Sequence, residues 1–288
     1  MRKTMMMAAA VLAWCAASAA AQTPGAPLTG TLKKIADSGA ITLGWRENST
    51  PFSFKSPDGT PKGFSIDLCL NVVELLKAEL QKSIEVRWKP VTIETRFAAV
   101  AKGEIDLECG STTNTLARRR QVDFSLPTFV DGATILHRTG VGITDLVSFG
   151  GKRIGVVPGS TSARALAAFY SGMQAKPVIV NVKDHDDGQA GLEAGTLDAY
   201  CSDRTILIGL ALKAKNPGRL ALMEEFLSYE PYGLVLRRGD AAFRLTVDTA
   251  LARLYRTGAI GTIYRFWFGD NPPSGLLRAV YILNAYPE

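Results

Sequence analysis

Residues 105–118 have the sequence IDLECGSTTNTLAR, and the interpretation of the whole chain starts from them. The pattern predicts a short buried strand over residues 105–109, a loop rich in hydroxyl groups, and the start of a helix. Thr115 is a natural N-cap, which places Arg118 at the third helical position, where a capping box would have Glu or Gln. A cation there opposes the positive end of the helix dipole. Because Arg118 departs from the residue types expected at a helix start, we predict that it binds an anion together with the loop hydroxyls and free backbone N–H groups.

A second interpretation of this loop is also open at this point. Clusters of Ser and Thr are common in turns, so Ser111 to Thr113 could be ordinary turn residues. In that case Arg118 would be solvated, like the two arginines that follow it.

The spacing of the loop resembles a known ligand-binding signature. Hydroxyls at Ser111, Thr113 and Thr115, with an arginine three residues later, resemble the signature of polar amino-acid-binding proteins of ABC transporters. The wider run, from Cys109 to Arg118, is similar to the glutamate/aspartate-binding branch of that family. The resemblance covers essentially the whole chain after its first 21 residues. It implies an α/β fold with two lobes, a ligand cleft between them, and hinge closure around the ligand.

The first 21 residues predict a secretory signal peptide. They have a positively charged start, an apolar run over residues 5–17, and a small-residue cleavage site ending at Ala21. The apolar run is too short for a membrane anchor, so we expect export to the periplasm and cleavage after Ala21. Cys15 leaves a lipoprotein as an alternative, although its neighbour Trp14 fits that pattern poorly.

Charge and cysteine content restrict the remaining functions. The formal net charge is +6, but the Lys and Arg residues are scattered, which does not favour nucleic-acid binding.

The cysteines after the leader are Cys69, Cys109 and Cys201, so at least one thiol is free. Cys69 is predicted to be a small core residue of an apolar helix, and whether any two cysteines pair stays open. The absence of C-x-x-C spacing argues against a structural metal, and we expect no cofactor.

Strand and helix patterns alternate along the chain in two series, which predicts two α/β lobes with parallel sheets. The first series has strands over residues 41–45, 84–88 and 105–109 and helices over 64–80 and 95–101. The second has strands over 153–157, 178–182 and 198–202 and helices over 161–170, 187–194 and 203–214. A strand over 232–237, helices over 241–255 and 260–267, and an irregular tail from residue 271 complete the chain.

The two lobes are expected to differ in length, and lobe 1 is expected to consist of two separate stretches of the chain. Crossings predicted at residues 129–132 and 228–233 divide it into lobe 1, residues 22–131 plus 232–288, and lobe 2, residues 132–231. The return of the C-terminal helices to lobe 1 is implied by the resemblance and not by the pattern.

The resemblance also implies that residues at other strand ends contact the ligand. Ser160 and Thr161 follow a strand and open a helix, as an ordinary N-cap or as a second cradle for a carboxylate. Asp203 follows the next strand and could cap a helix, bind an α-ammonium group, or do both. His185 lies in a Lys-Asp-His segment similar to that of the acidic-ligand branch.

Two further arginines complete the predicted site. Arg46 and Arg96 would be solvated on general grounds, but the resemblance makes them the pair that meets a ligand's side-chain carboxylate. Ile93 stands where the branch often has a hydroxyl, which leaves the ligand length open. Three arginines against Asp203 give a net charge of +2, which favours an anionic ligand because uncompensated buried charge is costly.

Two functions of different classes follow. The first is an extracytoplasmic solute-binding protein, expected to be a monomer, that captures glutamate or aspartate and delivers it to an ABC permease. The second is a periplasmic dehydratase on the same fold, acting on an amino-acid-like carboxylate. An enzyme needs a general acid or base in the cleft, and the nearest candidates are Glu47, Glu94 and Glu108.

Overall fold

The computed structural model describes residues 27–287, so the predicted signal peptide and its cleavage site lie outside the described residues. Numbered along the chain, the strands are β1 (Ala40–Trp45), β2 (Asn48–Ser49), β3 (Ser53–Lys55), β4 (Pro61–Lys62), β5 (Glu85–Pro90), β6 (Leu107–Cys109), β7 (Val122–Phe124), β8 (Phe129–Asp131), β9 (Ala133–Arg138), β10 (Arg153–Val156), β11 (Val178–Asn181), β12 (Ala199–Asp203), β13 (Leu220–Leu222), β14 (Glu230–Tyr232) and β15 (Val235–Arg237). The helices are α1 (Gly30–Ser38), α2 (Phe64–Leu80), α3 (Arg96–Ala101), α4 (Thr161–Tyr170), α5 (His185–Ala194), α6 (Arg204–Lys213), α7 (Ala241–Thr257), α8 (Ala259–Phe268) and α9 (Gly275–Leu283).

Two five-stranded sheets form the framework. The first sheet has the order β5-β1-β6-β15-β7 and the second has the order β11-β10-β12-β9-β13. We call each sheet, with the elements packed on it, the first lobe and the second lobe. No helix among residues 27–287 is both long and apolar enough to cross a membrane.

The expectation of parallel sheets is only partly right. In each sheet the three strands joined by helices are parallel, namely β5-β1-β6 and β11-β10-β12. Strands β15 and β9 run antiparallel to their neighbours. The reason is connectivity, because each enters its sheet directly from a chain crossing, without the helical crossover that a parallel neighbour requires.

The two chain crossings lie side by side. Strands β8 and β14 form an antiparallel ribbon in which Phe129 faces Tyr232 and Asp131 faces Glu230. Phe129 and Tyr232 both pack on Phe52 of the first lobe, with ring centres 4.9 and 5.1 Å away. The ribbon is therefore anchored in the aromatic core of the first lobe.

Two predicted helices have the bounds that the sequence predicts, the other predicted helices differ by one or two residues at an end, and three local predictions are wrong. Helices α2 and α4 match the predicted residues. The predicted strand over 232–237 is interrupted, and only residues 235–237 join the first sheet. The tail is not irregular, because α9 begins with Ser274 as its N-cap and buries Leu277 and Tyr281, four residues apart.

The helix predicted after Thr115 is a single 3₁₀ turn, Arg118–Arg120, before the chain enters β7. The capping contact itself exists, since the Thr115 hydroxyl accepts a hydrogen bond from the Arg118 N–H at 3.2 Å. The turn ends because the next residues, Val122–Phe124, pair with β15 in the first sheet. The Arg118 side chain donates a hydrogen bond to the Thr113 carbonyl at 2.8 Å.

Cys69 is a fully buried core residue of α2, as the sequence predicts, and the structure also settles the pairing that the sequence left open. Cys69 on α2 forms a disulfide with Cys109 on β6, with their Cα atoms 6.1 Å apart. Cys201 is a buried free thiol. The disulfide fixes α2 to the strand that precedes the hydroxyl-rich loop, and the Ser65 hydroxyl of the same helix donates to the Gly110 carbonyl at 2.9 Å.

We expect the disulfide to contribute measurably to stability. Its two cysteines are 40 residues apart in sequence, and closing a loop of that size lowers the unfolded-chain entropy by an amount worth about 2–4 kcal/mol. The double variant Cys69→Ala/Cys109→Ala should lose that free energy of unfolding in urea denaturation. Reductant should destabilise the wild type and Cys201→Ala but not the double variant. A wild-type midpoint that is insensitive to reductant would contradict this prediction.

Candidate functional site

All nine residues selected from the sequence line one pocket between the two lobes. They are Arg46, Arg96, Ser111, Thr113, Arg118, Ser160, Thr161, His185 and Asp203. Four others that the sequence analysis did not select as contacts also line it: Ile93, Ser162, Ser202 and Ile206. The space between these side chains, including its opening to solvent, is about 320 Å³.

The fold explains why these residues meet. Arg46 directly follows β1, and Ser111 and Thr113 follow its neighbour β6. Ser160 follows β10, and Asp203 ends the adjacent strand β12. The carboxyl ends of parallel strands thus point into the cleft from both lobes, as is usual for ligand sites in open α/β sheets.

The hydroxyl-rich loop is held by the crossing ribbon. The Asn114 N–H donates to the Pro231 carbonyl at 2.7 Å, and the Gly233 N–H donates to the Thr112 carbonyl at 3.2 Å. Thr113 also pairs with Tyr232 through an isolated β-bridge. The loop between β6 and the Arg118 turn therefore behaves as an added strand at the junction of the lobes.

Two of the arginines share an aromatic support. The guanidinium carbons of Arg96 and Arg118 lie 4.9 and 5.4 Å from the centre of the Phe97 ring. Burial lowers the pKa of Arg118 to about 9, and the positive charge of Arg96 adds to this effect. Burial also lowers the pKa of Arg96. Arg118 is still a cation at neutral pH, and its guanidinium is not solvated as in the alternative interpretation.

Arg46 is buried as well, at 4% exposure, and its backbone N–H donates to the Ser53 hydroxyl at 2.9 Å. Burial, followed by the charge of Arg96, lowers the pKa of Arg46 to about 10. Among residues 27–287, none of the ion pairs within 4.0 Å involves Arg46, Arg96 or Arg118. The three guanidinium groups are thus buried together without a contacting carboxylate.

Glu108 modifies the charge count made from the sequence. This fully buried residue of β6 does not line the pocket, but its charge raises the pKa values of Arg46 and Arg96 against the effect of burial. One carboxylate oxygen accepts a hydrogen bond from the Thr112 hydroxyl at 2.8 Å, and the other, Oε1, has no protein partner. The pocket lining carries a net charge of +2, with one compensating carboxylate behind it.

Gly110 permits this packing behind the arginines. A Cβ atom at this position would lie 2.2 Å from Glu108 Oε1 and 3.2 Å from Arg46 Cγ, so any other residue would force one of these two side chains to move. Glu108 could have been recognised in the sequence, because it is a charged residue inside a predicted buried strand. The sequence did not indicate that Glu108 lies next to Arg46 and Gly110.

Asp203 does not cap α6, so one of its two expected roles is absent. Its carboxylate instead accepts hydrogen bonds from the Ser162 hydroxyl at 2.9 Å and from the Tyr232 hydroxyl. Burial, together with the nearby carboxylates Asp131 and Glu230, raises the pKa of Asp203 to about 7. A cation bound beside Asp203 would lower this pKa, since opposite charge favours the ionised form.

His185 is buried at the start of α5, and its Nδ1 lies 2.7 Å from the Tyr200 hydroxyl. Burial and the charges of Arg46 and Arg96 lower the pKa of His185 to about 3. The imidazole is therefore neutral at physiological pH, so it can hydrogen bond to a ligand but adds no charge.

The second-lobe loop contributes capping groups. The Ser160 hydroxyl accepts a hydrogen bond from the Ala163 N–H at 3.0 Å, which is the ordinary N-cap role. The Thr161 hydroxyl lies 3.2 Å from the Thr113 hydroxyl of the first lobe. This contact across the cleft shows that the lobes are closed on each other.

Comparison with known proteins agrees with this geometry. The sequence profile of bacterial extracellular solute-binding proteins, family 3, matches residues 41–270. The chain is 41% identical over 252 residues to the L-glutamate/L-aspartate-binding protein of Pseudomonas aeruginosa, covering 86% of this chain and 83% of that one. It is 35% identical over 255 residues to the glutamate/aspartate import solute-binding protein of Salmonella typhimurium, covering 88% and 84%.

A solved structure supports the same fold. An ancestral arginine-binding protein bound to glutamine superposes with a TM-score of 0.72 and is 29% identical, covering 81% of this chain and 99% of that one. The resemblance and the two-lobed α/β fold that the sequence predicts are thereby confirmed. The chain belongs to family 3 of the bacterial extracellular solute-binding proteins.

Proposed function

We propose that this protein captures L-glutamate or L-aspartate outside the cytoplasm and delivers it to an ABC permease. The observation that carries the proposal is the group of three guanidiniums, Arg46, Arg96 and Arg118, which line one pocket and form no ion pair with any carboxylate in residues 27–287. An acidic amino acid supplies two carboxylates and one ammonium group. Its charges complement three cations and the single lining carboxylate, Asp203.

Each ligand group has a proposed partner. The α-carboxylate would bind Arg118, with the hydroxyls of Ser111 and Thr113 and the free N–H groups at the start of α4 as further donors. The α-ammonium group would bind Asp203. The side-chain carboxylate would lie between Arg46 and Arg96, where the guanidinium fork can contact both oxygens. The rest of the ligand would be surrounded by uncharged side chains, those of Ser160, Thr161 and His185.

The proposed motion is hinge closure about the β8/β14 ribbon. We propose that residues 22–131 with 232–288 move as one lobe and residues 132–231 as the other. The ribbon contains both chain crossings and packs on the first lobe through Phe129 and Tyr232. Closure of this kind buries the ligand and gives the permease a surface that the open form lacks.

We further propose a periplasmic location, following cleavage of the leader after Ala21, and a role without catalysis. The enzyme alternative has weaker support. Glu47 and Glu94 are exposed, and Glu108 is hydrogen bonded behind the pocket. His185, with its pKa lowered to about 3, does not exchange protons near neutral pH. Asp203, with its pKa raised to about 7, could do so, but we propose that it binds the ligand's ammonium group instead.

The proposal is tested by titrating ligand-stripped, refolded protein with each common amino acid in a calorimeter. We expect glutamate and aspartate to bind most tightly, because only they supply the second carboxylate. Equal affinity for neutral amino acids, or preference for a basic one, would contradict the proposal.

The α-amino-acid contacts give a second prediction. Arg118→Ala and Asp203→Ala should each nearly abolish binding of every amino acid, because removing one member of a buried charge pair costs roughly 3–5 kcal/mol. Arg119→Ala is the matched control, since that exposed arginine donates to Asn114 outside the pocket. Binding within a few-fold of the wild type in either pocket variant would refute the assignment.

Selectivity should respond to the other two arginines. Replacing Arg46 or Arg96 with methionine should weaken glutamate and aspartate far more than glutamine and asparagine, because an amide does not form full charge-assisted hydrogen bonds. Calorimetric titration with the four ligands measures this difference. The exposed Arg87, which pairs with Glu85, provides the control variant Arg87→Met. Equal losses for acids and amides would mean that Arg46 and Arg96 are structural.

The raised pKa of Asp203 predicts a pH dependence. Above about pH 7 the carboxyl is ionised in the ligand-free protein, whereas below that pH it must lose its proton to bind an ammonium group. Affinity should therefore fall as the pH drops below about 7, approaching tenfold per pH unit, and binding should release up to one proton.

Calorimetry from pH 8 to 5.5, in buffers with different ionisation enthalpies, measures this release. The carboxyl groups of the ligand are ionised throughout that range. A constant affinity without proton release would contradict the assignment of Asp203 to the ammonium group.

A further inference from the structure

A second set of contacts joins the lobes outside the pocket. Lys213, the last residue of α6, donates a hydrogen bond from Nζ to the Thr50 hydroxyl at 2.6 Å. The same ammonium group lies 5.2 Å from the centre of the Phe54 ring. Helix α6 packs on β9 and β12 of the second sheet, whereas Thr50 and Phe54 follow β1 of the first sheet. Lys213 therefore bridges the two lobes.

The helix backbone itself comes close to the first lobe one turn earlier. A Cβ atom at Gly209 would lie 3.0 Å from the Thr50 carbonyl oxygen, at the limit of what side-chain carbons tolerate. The missing side chain allows α6 to approach Thr50 closely, and this places Lys213 within hydrogen-bond distance.

One further polar contact joins the lobes next to this bridge. Asp186, at the start of α5, interacts with the Lys213 charge and with the side chain of Asn48 on β2. The second lobe thus presents one cation and one anion to polar groups of the first lobe. Neither Lys213 nor Gly209 lines the ligand pocket.

We propose that Lys213 and Gly209 set the affinity for ligand by stabilising lobe closure, without contacting the ligand. We name this pair, with Thr50 and Phe54 as its partners, the closure latch. The inference rests on the proposed function, because it assumes a receptor that closes around its ligand. When only the closed state binds tightly, apparent affinity scales with the closed fraction, so a weaker latch weakens every ligand by the same factor.

The first test removes the ammonium group. Lys213→Met keeps the length and apolar stem of the side chain but loses the hydrogen bond and the contact of the charge with the ring. At an exposed site these interactions are modest, so we expect the Kd values for glutamate and aspartate to rise together by about three- to tenfold. Lys213→Arg, which keeps a cationic donor, should stay closer to the wild type.

The matched control is Lys215→Met. Lys215 lies two residues further along the chain, its side chain is 83% exposed, and it pairs at 3.5 Å with Glu193 of the same lobe. This substitution should leave both Kd values unchanged. The thermal midpoint of ligand-free protein should be the same in all four proteins, since the latch acts only on closure.

The second test adds a side chain at Gly209, where α6 lies close to the Thr50 backbone. Gly209→Leu adds a side chain that must push against the Thr50 backbone, while leucine favours the helix more than glycine does, so folding is not weakened. We expect a larger rise in both Kd values and a faster dissociation rate. With saturating glutamate, small-angle X-ray scattering should give a larger radius of gyration than for the wild type.

The outcomes separate the two proposals. Wild-type protein that binds no amino acid would overturn the proposed function and the latch with it. Wild-type protein that binds, with unchanged affinity in Lys213→Met and Gly209→Leu, would overturn the latch alone. A loss confined to glutamate or to aspartate would also overturn it, because closure does not distinguish between ligands.

Discussion

Three buried guanidinium groups in one small pocket are the constraint on which the other features of the site depend. Arg46, Arg96 and Arg118 repel one another, and no carboxylate of the described residues contacts any of them within 4.0 Å. The protein offsets part of this cost with the Phe97 ring and with the Glu108 carboxylate behind the pocket. The remaining positive charge is available to an anion. Ligand binding and stability of the closed lobes are therefore coupled, since each carboxylate that enters relieves a repulsion already built into the fold.

The acidic side of the pocket is connected to the hinge. Tyr232 lies in the β8/β14 ribbon, packs on Phe52, and donates a hydrogen bond to Asp203. Asp131 and Glu230, which face each other in the same ribbon, raise the pKa of Asp203 further beyond the effect of burial. A ligand's ammonium group at Asp203 would therefore lie close to the β8/β14 ribbon. Arg46, Arg96 and Arg118, by contrast, belong to the first lobe.

The sequence indicated which residues line this pocket more completely than it indicated the local structure around them. The nine residues could be selected because most follow strands or open helices at the carboxyl edge of a sheet, and long periodic helices such as α2 were also predictable. The shortness of the 3₁₀ turn at Arg118 was not predictable, because the turn ends where β7 pairs with β15, a strand distant in the sequence. The Cys69–Cys109 pairing and the position of Glu108 behind the arginines depend on contacts between distant elements, which periodicity does not report.

The central claim is that the ligand's two carboxylates complete the three-arginine group, and a crystal structure with bound glutamate tests it most directly. The account predicts the α-carboxylate on Arg118, the ammonium group on Asp203, and the side-chain carboxylate between Arg46 and Arg96. A structure in which the side-chain carboxylate points away from Arg46 and Arg96, with these two arginines paired to Glu108 instead, would contradict it.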